Sequence, residues 1–133
     1  MFRSTKQQCQ AIRILLRSLR LDHLWTETEP TKQAVNYLAG SPMSHGEEVL
    51  LRCAFDFWNG EGRVELGRDL LGVLDNMRLE RVLTLALAVN ASAEAVDKWI
   101  SSNGAFSGLA DDLADLDKGI WGEYKHIKER RRS

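Results

Sequence analysis

Residues 44–59 read SHGEEVLLRCAFDFWN, and this stretch decides the fold. Ser44 and Glu47 stand at the S-x-x-E spacing of a capping box, which predicts that a helix begins there. Apolar side chains then cover most of the circumference of this helix, so we expect it to lie buried at the centre of the core. One charged ridge remains, and we expect it to be solvated or paired within itself: Glu48, Arg52 and Asp56.

Outward from this stretch, the apolar spacing is helical along nearly the whole chain. A basic amphipathic helix is predicted over residues 4–22, with Ser4 and Gln7 as its capping pattern. Further helices are predicted over 31–39, 67–74, 76–90, 92–102 and 108–117, with a last helix after Gly119. The helix at 76–90 is expected to bury Leu79, Val82, Leu83, Ala86 and Leu87. The sequence therefore predicts a single compact all-α domain, 1–133, of seven or eight short helices around a buried central helix at about 45–59.

Composition excludes several classes of protein. The chain has 133 residues, 44% hydrophobic and 28% charged, which is typical of a soluble globular domain. The longest apolar run, Leu85–Val89, falls far short of the roughly 20 residues that span a bilayer, and no signal-peptide pattern precedes it. Cys9 and Cys53 are predicted to be buried small hydrophobes, as expected for a protein of the reducing cytoplasm. No role at a membrane is expected.

Charge is segregated along the chain although the net charge is only −1. Residues 1–25 carry five bases and one acid, and residues 125–133 carry the same numbers. The acids are concentrated between these ends, with the densest group at Asp111, Asp112, Asp115 and Asp117. Segregation of this kind indicates an interaction role, or pairing of the basic ends with the acidic body.

The basic ends supply the candidate interaction surface. One face of the first helix presents Lys6, Arg13, Arg17 and Arg20, and the last helix and the tail add Trp121, Tyr124, Lys125, Lys128, Arg130, Arg131 and Arg132. Trp25 and Trp99 fall near helix ends, where partial exposure is expected. This surface predicts a small non-catalytic binding or regulatory protein that works through a protein–protein interface, with a second copy of the chain as one admissible partner.

Two other interpretations of the same residues stay open. The basic helix face and tail are also suited to the phosphates of a nucleic acid, although the pI near 6.3 is low for such a protein. Alternatively, the face is simply solvated, or it pairs with the acidic residues 111–117.

No motif for catalysis, metal or cofactor binding is present in the sequence. His23, His45 and His126 lack metal-ligand spacing, and the acids of 111–117 fit no register of a calcium-binding loop. Nucleotide-binding glycine motifs and nucleophile elbows are missing as well. We therefore expect no cofactor and no enzymatic activity, with an enzyme or small-ligand protein of unnamed reaction as the remaining alternative.

Overall fold

A computed structural model describes residues 1–40 and 42–107, with side chains described as far as Gly104. Five α-helices follow one another: α1 Thr5–Arg17, α2 Lys32–Ala39, α3 His45–Asn59, α4 Asn76–Ala91 and α5 Ala93–Ser107. A 3-10 turn at Asp22–Leu24 lies between α1 and α2, and a π-helical turn at Leu66–Leu70 lies between α3 and α4. No strand occurs in these residues beyond one isolated bridge, Trp25 to Pro30. The all-α prediction is confirmed, with fewer helices than predicted, since the helices expected at 108–117 and after Gly119 lie outside the described residues.

The first helix is shorter than predicted. The Ser4 hydroxyl accepts a hydrogen bond from the Gln7 backbone N–H at 3.1 Å, but the Gln7 side chain reaches back to the N–H of Arg3, so the reciprocal capping box does not form. The helix ends at Arg17 and not at Asp22. The reason is Arg20, whose φ of 60° is left-handed and turns the chain into the 3-10 segment.

The central helix α3 forms as predicted. The Ser44 hydroxyl and the Glu47 carboxylate make both hydrogen bonds of the capping box, at 3.3 and 3.0 Å. Gly60 ends the helix in the left-handed conformation with φ 80°. Its buried side chains form the middle of the core: Val49, Leu50, Leu51, Cys53, Ala54 and Phe55.

Two tryptophans expected to be partly exposed are core residues, which corrects that prediction. Trp25 is 2% exposed and packs edge-on against Phe55 and Trp58, with ring centroids 5.0 and 5.8 Å away. Trp99 is also buried and donates its indole N–H to the Thr84 hydroxyl at 3.0 Å. Trp25 directly follows the 3-10 turn and faces α3, whereas Trp99 lies in the middle of α5 and faces α4.

The charged ridge of α3 makes more contacts with the rest of the chain than predicted. Arg52 contacts Asp69, a buried carboxylate on the π-helical turn, and donates to the carbonyls of Gly62 and Arg63. Asp56 accepts the backbone N–H groups of Arg63 and Val64, each at 3.0 Å. The ridge thus holds the 60–70 segment, which forms a π-helical turn where a helix over 67–74 was predicted.

The buried face of α4 differs from the predicted one. It buries Arg81, Val82, Leu85 and Ala88, whereas Leu83, Ala86 and Leu87 of the predicted face are exposed, Leu87 by 69%. The apolar residues of α4 are distributed over nearly all sides of the helix, so its sequence pattern does not determine which side is buried. Packing against α5 selects it instead.

Helices α1 and α5 lie side by side and run in the same direction. Near their starts, the Gln7 side-chain amide donates to Ala93 O at 2.9 Å and to Asp97 Oδ1 at 2.8 Å. Near their ends, a Cβ on Gly104 would lie 3.8 Å from Ile14 Cδ1. This pairing leaves a groove between the two helices. Within the described part of the chain, no helix is both long and apolar enough to cross a membrane.

Candidate interaction groove

A groove with a volume of about 410 Å³ lies along α1 beside the second half of α5. Its lining is mainly cationic and apolar: Lys6, Gln10, Arg13, Ile14, Arg17, Glu27, Ile100 and Gly104. Three cations face one carboxylate, so the groove favours an anionic occupant.

The spacing of the cations along α1 explains why they meet in one groove. Lys6, Arg13 and Arg17 are separated by seven and four residues, which places them on one side of an α-helix. Most of the remaining circumference of α1 is buried in the core and includes Cys9, Ile12 and Leu16. Burial of that apolar side therefore fixes the direction in which the cations point.

The guanidinium of Arg13 is only partly satisfied by its surroundings. Its Nε is shut off from solvent and has no hydrogen-bond acceptor among the described residues. A buried donor without an acceptor costs about 1–3 kcal/mol, more when the group is charged.

Arg17 is already partly neutralised. Its Nε lies 3.2 Å from Asp22 Oδ2, on the 3-10 turn that follows α1. Both side chains are partly exposed, so this ion pair is weak and leaves the remaining guanidinium donors available to a ligand.

The apolar part of the lining comes from both helices. Ile14 is buried against the core, and Ile100 is half-buried one helix turn before Gly104. Since Gly104 has no side chain, the groove stays open at that level. The result is an apolar strip next to a cationic strip, a combination suited to an amphipathic peptide.

The predicted surface is only partly assembled in this groove. Lys6, Arg13 and Arg17 come together as predicted, whereas Arg20 is exposed beyond the end of α1 and does not line the groove. The other candidates lie outside the described residues: Trp121, Tyr124, Lys125, Lys128, Arg130, Arg131 and Arg132. The sequence analysis missed Ile100 and Gly104. Their i, i+4 spacing places them on one side of α5, but it indicates a groove only when α5 is known to lie beside α1.

The described residues contain no group of three or more His, Cys, Asp or Glu side chains that could hold a metal ion. Burial raises the pKa of the Cys53 thiol to about 12, with Asp56 adding to the shift. Burial likewise raises the pKa of Cys9, although the nearby indole of Trp25 opposes the shift. Both thiols are free and buried, so they lack the exposure and thiolate character of a nucleophile.

Comparison with known proteins gives no relative from which a function could be transferred: no family model, no curated protein and no solved structure matches the chain.

Proposed function

We propose that this is a small binding protein without catalytic activity, whose α1/α5 groove holds an acidic amphipathic segment of a protein partner. The observation that carries the proposal is the lining of the groove, where Lys6, Arg13 and Arg17 lie beside the apolar side chains of Ile14 and Ile100. A carboxylate on the partner would accept from Arg13, and apolar side chains would pack on Ile14 and Ile100.

The lining favours a peptide over a nucleic acid. Phosphate recognition would use the same cations, but the groove contains no aromatic side chain on which a base could stack. Its apolar strip would stay uncovered beneath a sugar–phosphate backbone, whereas leucine-like side chains of a peptide would bury it. Nucleic-acid binding therefore remains the competing outcome of the test below.

The proposal includes a regulatory role in the cytoplasm. Free cysteines with raised thiol pKa values suit a reducing compartment, and a groove that recognises a short acidic segment suits reversible association.

The test is a fluorescence-anisotropy titration with a labelled peptide that carries Leu at i, i+4 and i+7 and Asp between them. A matched peptide with Asn in place of Asp, and a single-stranded oligonucleotide, are the comparison probes. The titration uses the wild-type chain and a neutral-tail chain in which Asp111, Asp112, Asp115 and Asp117 are changed to Asn, because these carboxylates compete with the probe if they reach the groove.

The acidic peptide is expected to bind at least about tenfold more tightly than the Asn peptide, with affinity that falls as salt is added. Absence of acidic-peptide binding to both chains would overturn the proposal. Preferential binding of the oligonucleotide would replace it with the nucleic-acid interpretation.

A further inference from the structure

We infer that Glu27 selects the partner of the α1/α5 groove: it favours an acidic segment that also carries one base, and it disfavours a uniformly acidic ligand. This inference deepens the proposed function and rests on it, because it assigns the charge pattern of the segment that the groove would hold. Glu27 follows the 3-10 turn and is the one acidic residue among the described residues that line the groove.

A tight turn holds Glu27 in place. The Thr26 hydroxyl accepts hydrogen bonds from the backbone N–H groups of Thr28 and Glu29, at 3.2 and 3.0 Å. The backbone N–H of Thr26 donates to Glu29 O at 2.9 Å, and the isolated bridge made by Trp25 closes the base of the turn. Since Trp25 is buried in the core, the turn is fixed to the body of the protein and presents Glu27 at a defined position.

Glu27 and α5 border the groove from opposite sides of α1. Helix α5 accepts hydrogen bonds from the Gln7 side chain, whereas the indole of Trp25 lies near the thiol of Cys9. Two residues along an α-helix correspond to a rotation of about 200°, so Gln7 and Cys9 point in nearly opposite directions. The turn that follows Trp25 therefore reaches the groove from the side away from α5. The groove thus has a cationic floor on α1, an apolar wall toward α5 and an acidic edge at Glu27.

The carboxylate of Glu27 is available to a ligand. It is exposed, and in the described part of the chain it forms no ion pair, although Lys6, Arg13 and Arg17 belong to the same lining. The cations and the carboxylate stay apart across the groove and do not neutralise one another. An occupant placed between them meets positive charge on one side and negative charge on the other.

This charge pattern separates three kinds of ligand. A segment with acidic residues only is attracted by the cations but repelled by Glu27, and a nucleic acid meets the same repulsion at each phosphate that passes this residue. A segment with one Lys or Arg beside its acidic residues forms an exposed ion pair there instead, which raises affinity by roughly twofold to fivefold. Attraction of one ligand and rejection of its competitors thus arise at the same side chain.

The experiment uses a series of peptides derived from the acidic Leu/Asp peptide. One Lys, or one Gln as its reference, is moved through the positions that carry neither Leu nor Asp, and each Lys/Gln pair is titrated into wild type and Glu27→Gln. Glu29→Gln is the matched control, because Glu29 lies in the same exposed turn but does not line the groove. Each affinity ratio compares two peptides on one chain, so competition from other parts of that chain cancels.

At one or more positions, the Lys peptide is expected to bind wild type and Glu29→Gln about threefold or more tightly than the matching Gln peptide, with no such gain in Glu27→Gln. A gain that persists in Glu27→Gln, or no gain at any position, would overturn the inference and leave the proposed function intact. Failure of every peptide to bind both the wild-type and the neutral-tail chains would overturn the two together.

Charge reversal provides a readout that a loss of folding would not imitate. In Glu27→Lys, a peptide with Glu at the selected position is expected to bind about threefold more tightly than the Lys peptide, which inverts the order found in wild type. Because the Glu27 side chain is exposed, we expect the circular dichroism spectrum to stay unchanged. The same order of the two peptides in wild type and Glu27→Lys would overturn a direct contact with this residue.

Discussion

Arg52 and Asp69 are joined across the middle of the molecule: Nη1 of the arginine lies 3.4 Å from Oδ2 of the aspartate. Arg52 projects from the central helix, and Asp69 belongs to the π-helical turn that follows it. The arginine side chain is 18% exposed and also donates to two loop carbonyls. Arg52 therefore holds the segment that follows α3 against that helix. An i, i+4 ridge that resembles a solvated helix face in sequence is therefore a structural clamp.

The clamp leaves no space for a side chain at position 62. A Cβ there would lie 1.8 Å from the carbonyl oxygen of Arg52, so Gly62→Ala must displace the loop and weaken the Arg52 hydrogen bond to it. We expect a loss of about 3 kcal/mol in the free energy of unfolding, measured by urea denaturation. Gly67→Ala is the matched control, because nothing lies within 4 Å of its added Cβ, and a comparable loss there would contradict this explanation.

Asp69 makes stability depend on pH. Its pKa is held below the ordinary value first by the backbone N–H of Glu65, then by the side chain of Arg68, with Arg52 also contributing. A depressed pKa in the folded state adds stability above the ordinary aspartate pKa and loses it as the pH falls through the folded value.

We therefore expect Asp69→Asn to melt at a lower temperature than wild type near pH 7, with the two melting temperatures converging toward about pH 2. Thermal unfolding followed by circular dichroism across this range measures the difference. A difference that stays constant with pH would show that charge is not the cause.

Arg81 is a buried cation that costs stability. It is 6% exposed, and its Nη1 has no hydrogen-bond partner among the described residues. Burial lowers the pKa of its guanidinium, and the positive charge of Arg78 lowers it further. Replacing it by Met keeps an elongated side chain and removes the unpaired donor. We expect Arg81→Met to raise the free energy of unfolding by about 1–2 kcal/mol, measured by urea denaturation.

Arg78 provides a contrasting case for that change. It lies three residues earlier on α4, and although its Nε is also buried without a partner among the described residues, its other donors are used: it donates to Ser18 O at 2.8 Å and pairs with Asp75. Arg78→Met should therefore lower stability by about 1 kcal/mol, opposite in sign to Arg81→Met. Equal effects at the two positions would refute the assignment of the cost to the unpaired Nη1.

The two thiols should be unreactive in the folded protein. With the pKa of Cys53 raised to about 12 and that of Cys9 also raised by burial, almost no thiolate is present near pH 8. A colorimetric disulfide reagent is expected to label neither cysteine in buffer and both in denaturant. Rapid labelling without denaturant would contradict the buried positions found for Cys9 and Cys53.

The sequence was sufficient for features that depend on local chemistry. The capping box of Ser44 and Glu47, the burial of α3 and the cationic side of α1 each follow from residues a few positions apart. The early end of α1 was not predictable, because arginine rarely adopts the left-handed conformation found at Arg20.

Features that depend on packing between helices were predicted less well. Position near a helix boundary suggested an exposed Trp25, but the packing of that indole on Phe55 is a contact between distant parts of the chain. The buried face of α4 was missed because apolar residues occur on several of its sides. Within the groove, the cations of α1 were predictable, whereas Ile100 required the parallel arrangement of α1 and α5.

The most direct test of the central claim compares two charge reversals in the neutral-tail chain. Arg13 lines the groove, whereas Lys98 is an exposed base of α5 outside its lining. The account predicts that Arg13→Glu weakens binding of the acidic peptide by about tenfold or more and that Lys98→Glu leaves it within about twofold, with circular dichroism unchanged in both. An equal loss at the two positions would show only a general charge effect, and the α1/α5 groove would not be the binding site.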